Sequence, residues 1–301
     1  YALGAGAPID YEKSHEFYEK SCKRSYAQGC RNLGWLYSQG LGVSKSIEKA
    51  GDYYSLACES GLPVACHLQA RIENVEPSTS TQAGLKHQEH IFILEKKACD
   101  AGYGPSCRNL GKRYEYATAI DQDLPQARKL YRRSCTQNDP EGCHLLGLLY
   151  SKGLGVTQDE NHAQTLFEKA CGKDFAPACR EQAWSTYNIR ATPKETLKLL
   201  GKACEGKDAI ACNQLALSHI HANENSEKVS QGAGQAALLL RRACLLKDTT
   251  SCSNLAQLYE KGHGLRRDSH KAKLLYEYTC HRNSAESCNN LGLLLNEQKL
   301  K

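Results

Sequence analysis

The sequence predicts an all-α fold, an α-solenoid in which antiparallel helix hairpins are stacked in order along the chain. Sixteen cysteines occur as eight C-x7-C pairs, and successive pairs begin 33 to 41 residues apart, a period typical of helical-hairpin arrays. Apolar residues around each pair recur three and four positions apart, as on one face of a helix. We therefore expect one array over residues 1–301 with about eight repeats and about sixteen helices. Its parts are the helix of an incomplete repeat at 1–29, seven repeats at 30–287 and a capping helix at 288–301.

The first helix of each repeat follows the second cysteine of a pair. The residue four positions after that cysteine is small in all eight cases, which predicts that two helices approach each other closely there. These residues are Gly34, Ala70, Gly111, Gly147, Ala183, Ala216, Ala256 and Gly292.

The second helix ends at the first cysteine of the next pair. The residue five positions before that cysteine is large and apolar in every case, so we expect it to fill the core between helices. These residues are Phe17, Tyr53, Leu94, Leu130, Leu166, Leu199, Leu239 and Leu275.

A glycine turn joins the two helices in some of the repeats. The turns are Gly40-Leu-Gly-Val43, Gly153-Leu-Gly-Val156 and Gly262-His-Gly-Leu265. The other repeats lack this turn, and two of them carry polar insertions at 76–83 and 223–232 that we expect to be mobile loops.

The cysteine spacing predicts disulfides inside the pairs. The separation within a pair never changes, whereas the gap between pairs runs from 25 to 33 residues, so only the first distance is fixed as a bond would fix it. Bridges from one pair to the next leave Cys22 and Cys288 unpaired. Reduced buried thiols and zinc, which usually takes more closely spaced cysteines, are the other interpretations. Eight bridges imply an oxidising compartment. The predicted bridges are Cys22–Cys30, Cys58–Cys66, Cys99–Cys107, Cys135–Cys143, Cys171–Cys179, Cys204–Cys212, Cys244–Cys252 and Cys280–Cys288.

The glycine turns and their flanking helices resemble one repeat family. Each turn is followed by a helix with an alanine, namely Ala50, Ala163 or Ala272, and Cys30-Arg-Asn-Leu-Gly-Trp-Leu-Tyr37 is similar to the first helix of the Sel-1-like repeat family. With a C-x7-C in each repeat, nearly the whole chain resembles the cysteine-rich secreted proteins of the Helicobacter type. A cysteine-rich assembly factor for cytochrome oxidase in the mitochondrial intermembrane space is the second match.

The resemblance implies a right-handed superhelix of the tetratricopeptide or Sel-1-like type, acting as a secreted or periplasmic scaffold that binds a protein or peptide. It also implies two alternatives, weak β-lactam or cell-wall-peptide binding or hydrolysis, and respiratory-complex assembly in the intermembrane space. A penicillin-recognising serine enzyme needs S-x-x-K, S-D-N and K-T-G, and Ser46-Ile-Glu-Lys49 supplies only the first. Since Lys49-Ala50 matches the repeat pattern at Lys271-Ala272, we assign no catalytic residue.

The partner is expected in a groove lined by the first helices of the repeats. By resemblance to tetratricopeptide arrays, the recognition positions are one and five after the second cysteine. Basic, titratable and tryptophan side chains at these positions, with neighbouring asparagines, favour an anionic partner and offer stacking surfaces. The alternative is that the charged stripe is only a solvated helix face. The predicted groove residues are Arg31, Asn32, Trp35, His67, Arg71, Arg108, Asn109, Lys112, His144, Arg180 and Trp184.

Other classes of function have little support in the sequence. A net charge of +6 from 39 basic and 33 acidic residues is weak evidence for nucleic-acid binding. The apolar stretches are far shorter than the roughly 20 residues that cross a bilayer, so we predict no membrane span. His219 and His221 point away from each other on a helix, and no nearby cysteine or acidic partner completes a metal site with His87 and His90. We therefore predict no metal and no cofactor.

Overall fold

The computed structural model describes residues 9–74, 82–118, 120–189, 193–221 and 229–299. Within these residues the chain forms sixteen α-helices and no strand, which confirms the all-α prediction. Two compact units, Tyr1–Asp159 and Glu160–Lys301, make up the chain. Most of the loops predicted at 76–83 and 223–232 lies outside the described residues, and helices begin at Gln82 and Val229.

The described residues of the first compact unit contain eight helices. They are α1 (Tyr11–Lys23), α2 (Ala27–Gln39), α3 (Ile47–Glu59), α4 (Pro63–Glu73), α5 (Gln82–Asp100), α6 (Gly104–Glu115), α7 (Leu124–Thr136) and α8 (Pro140–Lys152).

The described residues of the second compact unit contain the other eight. They are α9 (Glu160–Cys171), α10 (Ala176–Ile189), α11 (Pro193–Glu205), α12 (Ala209–His221), α13 (Val229–Leu245), α14 (Thr249–Lys261), α15 (Ser269–Cys280) and α16 (Ala285–Lys299).

Every C-x7-C pair is a disulfide that joins the end of an odd-numbered helix to the first turns of the next even-numbered helix. All sixteen cysteines are bonded in this way, and the Cα atoms of each pair lie 4.4 to 4.7 Å apart. These distances lie at the short end of the range that disulfides accept. The predicted local pairing is therefore confirmed.

The turn inside each disulfide loop has the same backbone conformation in all eight repeats. The third residue after the first cysteine has a positive φ, between 59° and 86°, and the following amide donates to a carbonyl near the helix end, as Leu62 does to Ala57 at 3.1 Å. Such a left-handed residue ends a helix and reverses the chain. The eight residues are Ser25, Gly61, Gly102, Asn138, Asp174, Lys207, Lys247 and Asn283.

The largest core side chains lie four residues before the first cysteine, not five as the sequence predicted. At the predicted position, Phe17 is 53% exposed, and Leu94 and Leu166 are the buried members of the set. One residue later, Tyr54 and Tyr131 are buried. Successive residues of a helix point in different directions, and the later of these two positions is the one that points at the small residue of the preceding even-numbered helix. Buried residues at the later position are Tyr54, Glu95, Tyr131, Phe167, Leu200, Leu240 and Tyr276.

Two of the small residues four positions after the second cysteine, Gly34 and Gly111, lie directly against such a ring, so neighbouring helices approach closely there. A Cβ atom on Gly34 would lie 2.8 Å from the Tyr54 ring, and one on Gly111 would lie 2.5 Å from the Tyr131 ring. The Tyr131 hydroxyl then donates to Glu115 Oε2 at 2.5 Å, eight residues after the second cysteine of its pair. Each ring therefore spans the small position and the end of the preceding helix.

Candidate functional site

The predicted groove residues lie on the even-numbered helices. We call the surface of these helices the even-helix face, and within it α6 contacts α8 and α12 contacts α14. The first compact unit carries Arg31, Asn32 and Trp35 on α2, His67 and Arg71 on α4, Arg108, Asn109 and Lys112 on α6, and His144 on α8. Arg180 and Trp184 lie on α10 in the second compact unit.

Both histidines among the predicted groove residues, His67 and His144, are buried. His67 is 6% exposed and His144 is 8% exposed. His67 Nδ1 lies 3.2 Å from both Glu95 Oε2 and Ser106 Oγ, and its ring packs against Tyr103. This position therefore joins α4 to α5 and α6 inside the core instead of offering an imidazole to a partner.

The two predicted groove cations on α6, Arg108 and Lys112, are neutralised by carboxylates of the following repeat. Arg108 Nη1 donates to both oxygens of Asp139, at 2.9 and 3.0 Å, and lies 3.0 Å from Glu141. Lys112 Nζ lies 2.6 Å from the other oxygen of Glu141. Charge-assisted bonds of this kind, with Asp139 buried, couple α6 to α8.

Arg180 makes the same kind of pair in the second compact unit. Its Nη1 lies 2.9 Å from Asp208 Oδ2, and its Nη2 donates to Glu181 Oε1 at 2.8 Å. Burial lowers the pKa of Arg180, but the hydrogen bonds and charges of Glu181 and Asp208 outweigh it and raise this pKa overall. The position one after the second cysteine is therefore a point of contact between repeats.

Arg31 and Arg71 are the predicted groove arginines that pair with no carboxylate among the described residues. Arg31 Nη1 donates to the neutral Asn32 Oδ1 at 3.0 Å, and its buried Nε has no partner there. Arg71 is exposed. Burial raises the pKa of the Tyr54 and Tyr103 hydroxyls, and the positive charges of Arg31 and Arg71 oppose that rise at both. Uncompensated positive charge is thus concentrated on α2 and α4.

Two charged residues stand at core positions between α4, α5 and α6, where most other repeats are apolar or aromatic. Glu95, 3% exposed, occupies the position of Tyr54 and Tyr131. Arg113, 9% exposed, lies six residues after its cysteine, as the buried Leu36 does. Glu95 accepts from Asn109 Nδ2 at 2.7 Å, and Arg113 Nη2 donates to Gln88 Oε1 at 3.0 Å. A polar network therefore replaces part of the core between α4, α5 and α6.

A pocket of about 250 Å³ opens beside this network. Its wall includes Glu95, which stands at the position of Tyr131 in the next repeat. It also includes Ala70 and Asn74, which stand at the positions of Gly111 and Glu115, the two residues that contact the Tyr131 ring and hydroxyl. Three cationic side chains also line it. The lining residues are Ala70, Arg71, Asn74, Gln88, Ile91, Glu95, Asn109, Lys112, Arg113, Tyr116 and Thr118.

Arg71, Asn109 and Lys112 of this pocket are predicted groove residues, whereas Glu95, Gln88 and Arg113 were missed. A signal for two of them exists in the sequence. When the repeats are aligned on their cysteines, Glu95 and Arg113 are charged at positions that carry large apolar or aromatic residues in most other repeats. Departures from a repeat pattern of this kind are typical of functional sites.

Ser46 and Lys49, which form the S-x-x-K sequence, have structural contacts. The Ser46 hydroxyl accepts a hydrogen bond from the Lys49 amide at 3.2 Å and caps α3. Lys49 Nζ lies 5.3 Å from the centre of the Tyr37 ring, as Lys271 Nζ does over Tyr259. The same lysine-to-tyrosine contact occurs in each compact unit, so the packing of the repeat explains the S-x-x-K sequence.

The histidines of α5 meet the end of α4. His87 Nε2 lies 2.9 Å from the Glu73 carbonyl oxygen, and His90 Nδ1 lies 2.9 Å from Glu73 Oε2. Across the described ranges, three or more His, Cys, Asp or Glu residues nowhere gather as metal ligands. The same ranges contain no helix long and apolar enough to span a membrane.

Comparison with known proteins identifies the repeat. The family model described as Sel1 repeat matches residues 1–26, 27–62, 104–139, 140–175, 209–248 and 249–284. Helicobacter pylori cysteine rich protein B is 32% identical over 45% of this chain and 93% of its own, with a TM-score of 0.37.

Two solved structures share the fold at low sequence identity. The protective antigen c5321 of uropathogenic Escherichia coli, which displays an SLR fold, has a TM-score of 0.72 and 19% identity over 98% of this chain and 62% of its own. A Sel1 repeat protein from Oxalobacter formigenes has a TM-score of 0.71 and 17% identity over 93% of this chain and 79% of its own.

Relatives of known name match about half of this chain. Cytochrome c oxidase assembly factor 7A of Xenopus laevis is 24% identical over 147 residues, which are 44% of this chain and 62% of the relative. Factor 7 of Xenopus tropicalis is 25% identical over 143 residues, 43% of this chain and 60% of the relative. This chain therefore spans about three fifths of these relatives.

Proposed function

This chain belongs to the Sel1 repeat family, and from that premise we propose that it is a scaffold that binds a protein or peptide partner on the even-helix face of its first compact unit. The partner carries anionic groups. No cofactor takes part in this function. The observation that carries the proposal is the positive charge of Arg31 and Arg71, which pair with no carboxylate among the described residues, on the same face as the exposed ring of Trp35.

The division of the basic residues into paired and unpaired sets supports this location. Arg108 and Lys112 already bind carboxylates of their own chain, so an external anion must compete with them. Arg71 has no such competitor among the described residues, and Trp35 is 40% exposed. An accessible guanidinium and a large ring are the side chains that most often dominate binding at protein interfaces.

The eight disulfides indicate an oxidising compartment. We propose that this compartment is the periplasm or the extracellular space. A rigid, covalently fastened face suits binding there, because little conformational entropy is lost when the partner docks.

Site-specific photo-crosslinking in the native compartment tests the proposal. A photoreactive amino acid at Trp35 should yield a partner adduct, whereas the same group at Leu56, which is 48% exposed on α3, should not. Arg71→Glu should weaken the Trp35 adduct at least tenfold, and Arg132→Glu, an equal charge change on exposed α7 surface, should leave it unchanged. Equal adducts at both positions, or an adduct indifferent to Arg71→Glu, would refute this location.

A second candidate function is assembly of cytochrome oxidase in the mitochondrial intermembrane space. It is favoured by the 24% identity to the Xenopus laevis assembly factor, and the disulfides fit that compartment as well. Expression of this chain, targeted to the intermembrane space, in cells that lack the factor decides between the two. Restored oxidase activity supports the second candidate, and unchanged activity with a partner adduct in the periplasm supports the first.

A further inference from the structure

The pocket between α4, α5 and α6 lies where several other repeats hold a tyrosine ring. Tyr131 packs on Gly111 and donates to Glu115, and these two residues correspond to Ala70 and Asn74 one repeat earlier. In that repeat Glu95 replaces the tyrosine, and its shorter side chain is held by His67 and Asn109. The space that the ring occupies elsewhere is left open between α4, α5 and α6.

Arg113 lines this pocket, and none of its N–H donors meets an anionic acceptor among the described residues. A guanidinium has five N–H donors, and the described residues supply Arg113 with the neutral Gln88 Oε1 and no salt bridge. Burial lowers the pKa of Arg113, and the nearby charge of Glu95 opposes this. Both oxygens of Glu95 are already engaged by His67 and Asn109. A buried cation in these surroundings gains stability from an additional anionic partner.

We infer that this pocket binds a carboxylate, which Arg113 and Arg71 hold from two sides while Asn109 and Asn74 offer amide donors. The inference rests on the proposed function and names the chemical group of the partner that the even-helix face recognises. Arg71, Lys112 and Arg113 outnumber the single carboxylate of Glu95 in the wall, even though Lys112 is shared with Glu141.

The size of the pocket favours a carboxylate on a short side chain or at the carboxyl terminus of a peptide. A guanidinium binds a carboxylate through two parallel hydrogen bonds, which a neutral amide cannot reproduce. The volume of about 250 Å³ admits one small group, and the apolar atoms of Ala70 and Ile91 contact its methylene carbons. Ile91 stands where Ala127 and Ala272 stand in other repeats, so the inner end of the space is partly filled.

NMR titrations of the full chain at low ionic strength test the pocket with three probes. The first is an N-acetylated, C-amidated tripeptide with a central glutamate. The second is the same tripeptide with glutamine and a free carboxyl end, and the third is succinate. The amidated glutamine tripeptide, which has no carboxylate, is the control ligand. Saturable shifts of the Asn109 side-chain amide by any probe support the inference, and the strongest probe identifies the source of the carboxylate. No shift with any probe overturns it.

Two variants that restore the pattern of the other repeats distinguish a loss of carboxylate binding from a loss of folding. Arg113→Leu introduces the residue found at Leu36 and Leu149, and it should abolish carboxylate binding while keeping or raising the thermal stability. Glu95→Tyr should fill the pocket and also abolish binding. Arg132→Gln is the matched control and should bind as the unmodified chain does. If Arg113→Leu folds and binds carboxylate within threefold of the unmodified chain, the pocket assignment is wrong.

The two proposals fail separately. A partner adduct at Trp35 without carboxylate binding leaves the scaffold function standing and removes the pocket. Carboxylate binding that Arg113→Leu abolishes, without any adduct at Trp35, leaves the pocket and removes the scaffold function.

Discussion

Removal of the central disulfide tests how the covalent bonds stabilise the array. Cys135 and Cys143 are eight residues apart, so their bond closes a loop of nine residues. In the chain-entropy model such a loop costs the unfolded chain about 8.7 cal/mol/K, which stabilises the folded state by about 2.6 kcal/mol at 25 °C. The two residues are 3% and 1% exposed, so replacing them by alanine loses roughly a further 1 kcal/mol of packing.

The bond Cys280–Cys288 is the matched control for this experiment. It closes a loop of the same length, but Cys288 is exposed and Cys280 is partly exposed, so the packing loss should be small. We expect the double alanine variant at 135 and 143 to lose about 3.5 kcal/mol and the one at 280 and 288 to lose about 2.6 kcal/mol or less.

Urea unfolding without reductant, followed by far-ultraviolet circular dichroism, measures both losses. The slope of free energy against urea should not change for the central variant if the array still unfolds as one transition. A larger loss at the end pair than at the central pair would refute the reasoning. So would a loss below about 1 kcal/mol at the central pair, because the loop lengths would then have no bearing on stability.

Further predictions concern the helix contacts. Gly111→Ala should destabilise the chain by about 1 to 3 kcal/mol, because its Cβ would lie 2.5 Å from the Tyr131 ring, whereas Gly292→Ala meets open space and should be neutral or stabilising; thermal unfolding of both checks this. Asp139→Ala should cost about 2 kcal/mol, because it removes both hydrogen bonds between its carboxylate and Arg108, and an unchanged melting temperature would contradict it. Burial raises the pKa of Tyr131 above its usual 10.0, so the stability contributed by its neutral form is present below about pH 10 and is lost above it. Tyr131→Phe should therefore show a flatter decline in melting temperature between about pH 9 and 11, and a decline as steep as that of the unmodified chain would count against this origin.

The repeat pattern predicted the helices and the disulfides because both are local. The cysteines fix a constant separation inside each hairpin, and Gly34 and Gly111 mark the close contact of neighbouring helices. The core position was misplaced by one residue because both candidate positions carry large apolar or aromatic residues in most repeats, although they point about 100° apart on the helix. Only the packing of Tyr54 against Gly34 distinguishes it from Tyr53.

The roles of the basic residues depended on contacts between residues about 30 positions apart. Arg108 and Asp139 are 31 positions apart, and Arg180 and Asp208 are 28 apart. A basic stripe on one helix therefore says nothing about its charge balance until the register of the following repeat is known. The same holds for His67, whose partner Glu95 lies on another helix.

The uniform spacing of the cysteines has a consequence for oxidative folding. In an unfolded chain the probability of contact between two residues falls as the segment between them lengthens. The native partner of each cysteine is eight residues away, and the next cysteine along the chain is at least 25 residues further on. The native bond is thus the most rapidly formed one at every step. In an oxidising compartment each hairpin can therefore be oxidised independently of the others, with little need for a disulfide isomerase.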